Sequence, residues 1–317
     1  MKGKKGVTMG MPFNWIFAIL VGGFILFLAV FGAGKFIRTS EQTVYTETAA
    51  SLVSLFDPLE TGLASGKSSE IVFKKESRIR LDCDESGLFG RQRISFSEET
   101  LGDEFGEGGQ RITIKDKYVF SDNVLEGKAM YYFSKPYFAG FKVADLLMMY
   151  SNNQLYCVHD ASAGFREDVE GLNLKNIIFM NQSVECEGIE VCFNQGRCDI
   201  NVFENNNLIL KDGEKLYYVD DLIYAAIFSS PEIYECNVKR IKKRFNELGR
   251  IYLDKINVIK RVNCDAKLGD KLALLVNSNF TSSKNLIELR DRMEEVDTIN
   301  QRAQDGCRVY YNLNWER

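Results

Sequence analysis

The chain has 317 residues, eight cysteines and one histidine, and its 40 basic residues nearly balance its 44 acidic residues. Because nucleic-acid-binding domains concentrate positive charge, this composition argues against a nucleic-acid partner. Beyond an N-terminal apolar segment, about 280 residues remain, enough for one large or two smaller domains with a buried core. We find no motif typical of a metal site, a phosphate-binding loop or an activated nucleophile, so we predict no catalytic residue, no cofactor and no metal ion.

The apolar segment at residues 13–36 predicts a single membrane-spanning helix whose partner is the lipid bilayer. Crossing a bilayer requires about 20 apolar residues, and the strongly polar residue of this segment, Asn14, stands next to Trp15 at its start. Three lysines precede the segment, so the positive-inside rule predicts a cytoplasmic basic leader at residues 1–12 and an extracytoplasmic main domain at the cell membrane. The alternative is a cleaved secretory signal, which would export the same domain.

Directly after this segment, apolar residues recur at steps of four and three and predict an amphipathic stalk helix over residues 37–66. The apolar stripe consists of Tyr45, Ala49, Leu52, Phe56, Leu59 and Leu63. Asp57 and Pro58 are typical of a new helix start, which predicts a kink or break near Phe56. Such a stripe packs against another apolar surface. That surface belongs either to the chain's own globular domain or to a neighbouring molecule, namely an envelope protein or another copy of the chain.

Residues 67–219 predict an external, sheet-rich α/β region. Alternating apolar and polar residues from about 70 to 133 favour an antiparallel meander. A small α/β unit follows, beginning with a helix at residues 143–147 and continuing through two strands that could lie parallel on either side of a helix. The glycine-rich acidic run at residues 102–109 lacks the ligand spacing of a calcium loop, so we predict a solvated mobile loop.

His159 and Asp160 follow a predicted strand of this unit, where acid-base groups are often placed. An external hydrolase using them is therefore one hypothesis for the function. However, neighbouring residues point in different directions from an extended backbone, and no partner nucleophile is identifiable. The alternative, which we favour, is that His159 is a surface or capping residue without a catalytic role.

Helices dominate the C-terminal part, residues 220–317. A long amphipathic helix over residues 234–252 has a basic opposite face, which we predict to be solvated, with attraction to anionic lipid headgroups as the alternative. That face consists of Lys239, Arg240, Lys242, Lys243 and Arg244. Cys264 and Cys307 bracket a further amphipathic helix and are a candidate disulfide pair. The predicted fold class is α+β: an N-terminal transmembrane helix continuing into an amphipathic helix, a mostly antiparallel sheet with a small α/β unit, and a helical C-terminal part.

All eight cysteines follow the apolar segment, so they would lie in an oxidising compartment where disulfides form. The candidates are Cys83, Cys157, Cys186, Cys192, Cys198, Cys236, Cys264 and Cys307. The best single pair is Cys192 with Cys198, because a turn-like run between two strand-like stretches separates them. A zinc site is the alternative, although no C-x-x-C spacing favours it. Two glycosylation sequons stand at Asn181 and Asn279.

Six short segments carry a family resemblance that extends over most of the chain. They are residues 47–53, 57–63, 132–136, 141–145, 198–202 and 231–236. In these segments the chain resembles uncharacterised single-span membrane proteins of small-genome archaea. The resemblance implies an archaeal envelope protein, and it carries over no catalytic residue because that group has no assigned activity.

The arrangement of a basic leader, a hydrophobic helix, an amphipathic continuation and an external domain is also similar to type IV pilin-like proteins. Lys4, Lys5 and Gly6 look like the end of a pilin leader. Cleavage after Gly6 would place Met11 where pilins usually carry a glutamate. We therefore expect a membrane-tethered domain with a structural or interaction role in the cell envelope. A pilin-like filament subunit and an external hydrolase are the alternatives.

Overall fold

The structure is a computed structural model, and the ranges that it describes are residues 13–62, 68–100, 104–180, 186–194, 197–261, 264, 267–303 and 307–311. The predicted leader at residues 1–12 lies outside these ranges, as do Leu63 and Asn181. The side chain of Leu59 lies outside the description as well. Within these ranges the fold class is α+β with a long apolar N-terminal helix, as the sequence predicts.

The first sheet is the middle layer of the fold. Its strands are β1 (Ser68–Asp84), β2 (Arg91–Glu98), β3 (Ile112–Ile114), β4 (Tyr118–Phe120), β5 (Val124–Ala139) and β6 (Phe141–Ser151), in the order β3-β2-β1-β5-β6-β4. Neighbouring strands are antiparallel, except that β4 runs parallel to β6. The meander predicted for this part of the chain therefore forms most of the sheet.

The helix predicted at residues 143–147 is wrong, because these residues belong to strand β6. Both faces of β6 are buried. Leu146 and Met148 join the core on one side of the sheet, whereas Leu147 and Met149 join the core on the other side. A strand buried on both faces is a continuous apolar run without alternation, and periodicity alone cannot distinguish such a run from a buried helix.

Helix α1 (Phe13–Gly62) connects the apolar segment to this sheet without an interruption. The described side chains of the stripe, at Tyr45, Ala49, Leu52 and Phe56, are buried in one core with residues of β1, β2 and β3. The stripe therefore packs on the chain's own sheet, which is one of the two alternatives that the sequence allows. The predicted break does not occur. Pro58 stands near the end of the helix, where its missing N–H removes the hydrogen bond to the carbonyl of Ser54.

The described part of the acidic loop is held against α1, in contrast to the mobile loop that the sequence predicts. The backbone N–H of Gln110 donates to Thr46 Oγ1 at 2.8 Å, and Gln42 Nε2 donates to Glu107 Oε2 at 3.2 Å. Gly109 lies so close to the helix that a Cβ atom there would be 2.5 Å from the backbone nitrogen of Thr46. The loop therefore packs on the α1 turns that contain Gln42 and Thr46.

Gly109→Ala is expected to detach this loop from α1. The added methyl group meets helix backbone, which cannot move aside, and such overpacking typically costs about 1–3 kcal/mol. Hydrogen exchange of the Gln110 amide should therefore become faster. Gly108→Ala is the matched control, because its Cβ atom would make only ordinary contacts, the nearest at 3.6 Å to the carbonyl oxygen of Phe96. Equal acceleration in both variants would contradict the close approach at Gly109.

The second sheet contains the α/β unit that the sequence predicts. Its strands are β7 (Tyr156–His159), β8 (Ile177–Met180), β9 (Ile189–Phe193), β10 (Ile200–Phe203), β11 (Leu208–Lys211) and β12 (Glu214–Tyr217), in the order β12-β11-β10-β9-β7-β8. The strands from β10 to β8 are parallel, with α2 (Ala163–Gly171) between β7 and β8, whereas β10, β11 and β12 are antiparallel. This half-parallel sheet shares a core with the first sheet.

The C-terminal helices fill that shared core. They are α3 (Leu222–Phe228), α4 (Pro231–Lys260), α5 (Gly269–Val276) and α6 (Asn285–Gln301). Ser230 caps α4 by accepting the N–H of Ile233, and Pro231 occupies the first helical position. Phe228 of α3 packs between the two sheets, with its ring centroid 5.1 Å from that of Tyr150 and 4.8 Å from that of Tyr156.

The basic face of α4 is not the solvated face that the sequence predicts. Arg240 is fully buried and Lys242 is 4% exposed. Lys239 Nζ lies 3.2 Å from Glu85 Oε1, and the Arg244 side chain donates to the Val143 carbonyl at 2.8 Å. These contacts lie on the first sheet and on the turn between β1 and β2. Because these cations are bound to groups of the same chain, this face does not support the alternative of binding to lipid headgroups.

Candidate functional site

A cavity of about 470 Å³ opens between the first sheet and α6. Its walls are the end of β5 with the following Gly140, the Val219–Asp220 segment after the second sheet, and one face of α6. This volume lies within the range of about 300–1,000 Å³ that small-molecule sites occupy. We therefore take this cavity as the candidate functional site.

Two local features of the sequence shape the cavity. On α6, Arg290, Met293, Glu294 and Asp297 lie three or four residues apart, so they share the face that lines the cavity. Gly140 makes the turn from β5 to β6 with a φ of +74°, and a Cβ atom there would lie 2.5 Å from Met293 Cε. The positive φ favours glycine at this turn, and the missing Cβ atom leaves room for the Met293 methyl group.

Acidic side chains outnumber basic ones around the cavity. Asp220, Glu294 and Asp297 line it, together with the single cation Arg290. Arg290 already pairs with Asp291 at 3.0 Å and lies 3.9 Å from Glu294. The described lining therefore has an excess of negative charge. Arg290 also acts on Asp220 across the cavity, where its charge opposes the larger effect of burial, which raises the Asp220 pKa.

Asp297 is the most deeply buried of these carboxylates, with 9% of its surface exposed. Its Oδ2 accepts a hydrogen bond from Gln301 Nε2 at 2.8 Å. The Tyr310 hydroxyl also lies beside this carboxyl group and lowers the Asp297 pKa by hydrogen bonding. Burial is the larger effect and raises the pKa of Asp297 above its usual value. A buried carboxylate of this kind can pair with a cation or exchange a proton.

A second polar cluster lies between the two sheets. There Lys135 Nζ lies 2.5 Å from Asp168 Oδ2, and the same oxygen accepts the Tyr224 hydroxyl at 2.6 Å. The Lys135 ammonium also lies over the Tyr224 ring, 5.0 Å from its centroid. These groups satisfy one another within the core, so the cluster fits a structural role.

His159 and Asp160 lie at the end of β7 and do not line the cavity. His159 Nε2 is 3.9 Å from Glu190 Oε1, and it is buried without a hydrogen bond among the described residues. Asp160 has a left-handed backbone with a φ of 52°, which turns the chain at the end of the strand. Within the described ranges, no three His, Cys, Asp or Glu side chains are grouped so that they could hold a metal ion.

The eight cysteines form four disulfides. These are Cys83–Cys236, Cys157–Cys186, Cys192–Cys198 and Cys264–Cys307. Two of them, Cys192–Cys198 and Cys264–Cys307, are the pairs that the sequence singles out. Cys83–Cys236 connects β1 to α4 across 153 residues, a separation at which spacing gives no guidance. The second sequon, at Asn279, is exposed after α5.

The lining residues were not predicted as site residues from the sequence. A signal for Asp297 exists, since it stands four residues after Met293 and next to Val296, which places a carboxylate on the apolar face of α6. Asp220 carries no comparable signal, because it stands in a connection whose position depends on the second sheet. The cavity itself arises only from the packing of three distant segments.

A comparison of the chain with protein-family models, with curated proteins and with solved structures gave no match. The two resemblances drawn from the sequence therefore stay predictions. Function has to be inferred from α1, from the disulfides and from the cavity.

Proposed function

We propose that the protein is a membrane-tethered extracytoplasmic domain with a structural or interaction role in the cell envelope. The observation that supports this most directly is the division of α1 into two parts. The side chains of Phe24, Leu26 and Phe31 and their apolar neighbours are all exposed, and among the described residues α1 is the one helix long and apolar enough to cross a membrane. From Tyr45 to Phe56, one face of the helix is buried on the first sheet. Lipid is the natural environment for the exposed part.

The continuity of α1 determines how the domain would be held. Ile37 is the last exposed apolar residue before the polar stretch at residues 38–43, and Tyr45 is the first buried residue after it. Eight helical steps between them span about 12 Å, which is little more than the headgroup layer of one leaflet, about 5–8 Å. The domain would therefore stand directly on the membrane surface, without a flexible linker.

The disulfides support an extracytoplasmic location for the domain. All eight cysteines are paired, and the pairs lie throughout the region after α1. Disulfides persist in oxidising compartments and are rare in the cytosol of most organisms. The cell membrane with the N-terminus on the cytoplasmic side is the topology that fits both the leader and the disulfides.

An envelope partner or a second copy of the chain would have to bind outside the stripe, because the first sheet covers Tyr45, Ala49, Leu52 and Phe56. The exposed apolar part of α1 leaves one alternative function, a pilin-like subunit in which copies of the chain, rather than lipid, surround that part. The intact mass of the mature protein separates the two. A protein that retains Met1 argues for the tethered domain, and loss of the first six residues together with filaments argues for the pilin-like subunit.

Leu26→Arg is expected to lower the membrane-bound fraction of the protein. Leu26 is 67% exposed within the apolar part of α1, and an arginine at the centre of a spanning helix costs about 2.5–3.5 kcal/mol. Val44→Arg is the matched control, since Val44 is 53% exposed on the same helix beyond the apolar part. Carbonate extraction of membranes measures the retained fraction. Equal retention of both variants and of the unaltered protein would contradict the proposal.

The orientation is tested separately, by protease treatment of intact cells and of lysed cells. Digestion of the domain from outside intact cells supports the extracytoplasmic location. Protection in intact cells together with digestion after lysis would contradict it.

A further inference from the structure

We infer that Asn279 carries an N-linked oligosaccharide. The inference rests on the extracytoplasmic location proposed above, because Asn-x-Ser/Thr sequons are glycosylated in exported proteins. It adds a covalent modification site that the membrane tether itself does not require. The sequence alone supplies only the tripeptide, whereas the structure supplies the surface position that an acceptor needs.

The sequon at Asn279 lies in the connection between α5 and α6. Residues 278–281 belong to no helix or strand, and the tripeptide Asn-Phe-Thr begins at Asn279. Because the tripeptide also occurs by chance, it indicates an acceptor only where it stands in a surface loop of an exported chain. The connection is such a loop, and the four disulfides support the export of the domain.

The two groups that a glycosyltransferase has to reach are on the surface. Asn279 and Thr281 are exposed, whereas Phe280 between them is partly buried and packs against the core. Alternation of this kind is typical of an extended backbone, in which every second side chain points to the same side. The Asn279 amide and the Thr281 hydroxyl therefore face the solvent together.

Hydrogen bonds hold the connection on both sides of Asn279 and leave its amide available. Ser278 Oγ donates to the Leu275 carbonyl at 2.7 Å, and Asn285 Oδ1 accepts the N–H of Thr281 at 3.0 Å. The Thr281 hydroxyl donates to the same Oδ1 at 3.3 Å, which leaves its two acceptor lone pairs to the solvent. The Asn279 side chain makes no hydrogen bond among the described residues. Its Nδ2 can therefore react without the loss of a contact that holds the fold.

The donor for this modification is a lipid-phosphate-linked oligosaccharide. Nδ2 of Asn279 attacks the anomeric carbon of the first sugar, so a C–N bond forms and the bond from that carbon to the phosphate oxygen breaks. The phosphate leaves with the electron pair, and Nδ2 gives up one proton to a base of the transferase. The attached glycan is bulky and solvated, which an exposed connection accommodates and a packed helix face does not.

The inference is tested by mass spectrometry of peptides from the mature protein, purified from its native membranes. We expect the peptide that contains Asn279 to carry an added oligosaccharide mass. An unmodified Asn279 in protein whose domain is digested from outside intact cells would overturn the inference and leave the proposed function standing. If the domain is instead protected in intact cells, both the proposed location and the inference fail.

Variants assign the added mass to this sequon. Asn181→Gln is included throughout, so that the other sequon contributes nothing. Thr281→Ala removes the hydroxyl and is expected to abolish the modification, whereas Thr281→Ser keeps a hydroxyl and is expected to preserve it. Asn277→Gln is the matched control, because Asn277 is exposed in the same connection but no Ser or Thr stands two residues after it. An oligosaccharide that persists in Thr281→Ala, or is lost equally in Asn277→Gln, would overturn the inference.

Discussion

Arg240→Ala is expected to destabilise the folded protein by about 3–5 kcal/mol, because it leaves several buried hydrogen-bond acceptors unsatisfied and each costs about 1–3 kcal/mol. Arg240 is fully buried in α4, where it faces the first sheet. Its guanidinium group donates to Asn237 Oδ1 at 2.7 Å, to Gln92 Oε1 at 3.0 Å and to three backbone carbonyls. Those carbonyls belong to Phe89, Lys115 and Lys117.

The size of the effect follows from what the substitution leaves behind. Gln92 and Asn237 also hydrogen-bond the backbone of Val119, so the three side chains form one network between α4 and the first sheet. Removing the guanidinium group leaves several buried acceptors without a donor, and each loses its compensation for leaving water. Burial lowers the pKa of Arg240 to about 10, and the group stays charged at neutral pH.

Urea unfolding of the full chain in detergent measures the effect. Lys239→Ala is the control on the same helix, since its ion pair with Glu85 is half exposed and such pairs contribute about 0–1 kcal/mol. Arg240→Met retains much of the buried volume and separates packing from hydrogen bonding. A free energy of unfolding for Arg240→Ala within 1 kcal/mol of that for Lys239→Ala would mean that the network contributes little.

Arg240 also illustrates which parts of the fold the sequence can predict. Apolar periodicity correctly predicts the long amphipathic helix and the stripe on α1, because each depends on residues three and four apart. The burial of Arg240 depends on carbonyl groups 123 to 151 residues away in the chain. No local pattern contains that information, so from the sequence alone a run of basic residues on a helix predicts a solvated face.

β6 and the cavity also depend on contacts between segments that are distant in the sequence. β6 has an apolar run without alternation because two different cores cover its faces, and the second core exists only once α1 has packed on the sheet. The cavity requires the β5–β6 turn, the segment containing Asp220 and helix α6 to meet, although they are distant in sequence. The sequence could have indicated Asp297 within an apolar helix face, but not what lies opposite it.

Removing the Cys83–Cys236 disulfide is expected to cost about 5 kcal/mol, and removing Cys192–Cys198 about 2 kcal/mol, from the entropy of closing the two loops in the unfolded chain. The loops differ because the first pair is separated by 153 residues and the second by 6. The variants are Cys83→Ser with Cys236→Ser, and Cys192→Ser with Cys198→Ser, so that neither leaves a free thiol. Urea unfolding under non-reducing conditions measures both.

The Cys83–Cys236 disulfide and Arg240 both hold helix α4 to the first sheet. Cys236 stands one helical turn before Arg240 on α4, and both hold this helix to the first sheet, through β1 in one case and through Gln92 and neighbouring carbonyls in the other. If α4 docks as one rigid element, the combined variant should deviate from the sum of its separate costs by about 0.5–3 kcal/mol, as contacting or coupled sites do. Strict additivity would indicate that the disulfide and Arg240 hold α4 independently of each other. Equal costs for the two disulfides would indicate instead that the long loop is already restricted in the unfolded chain.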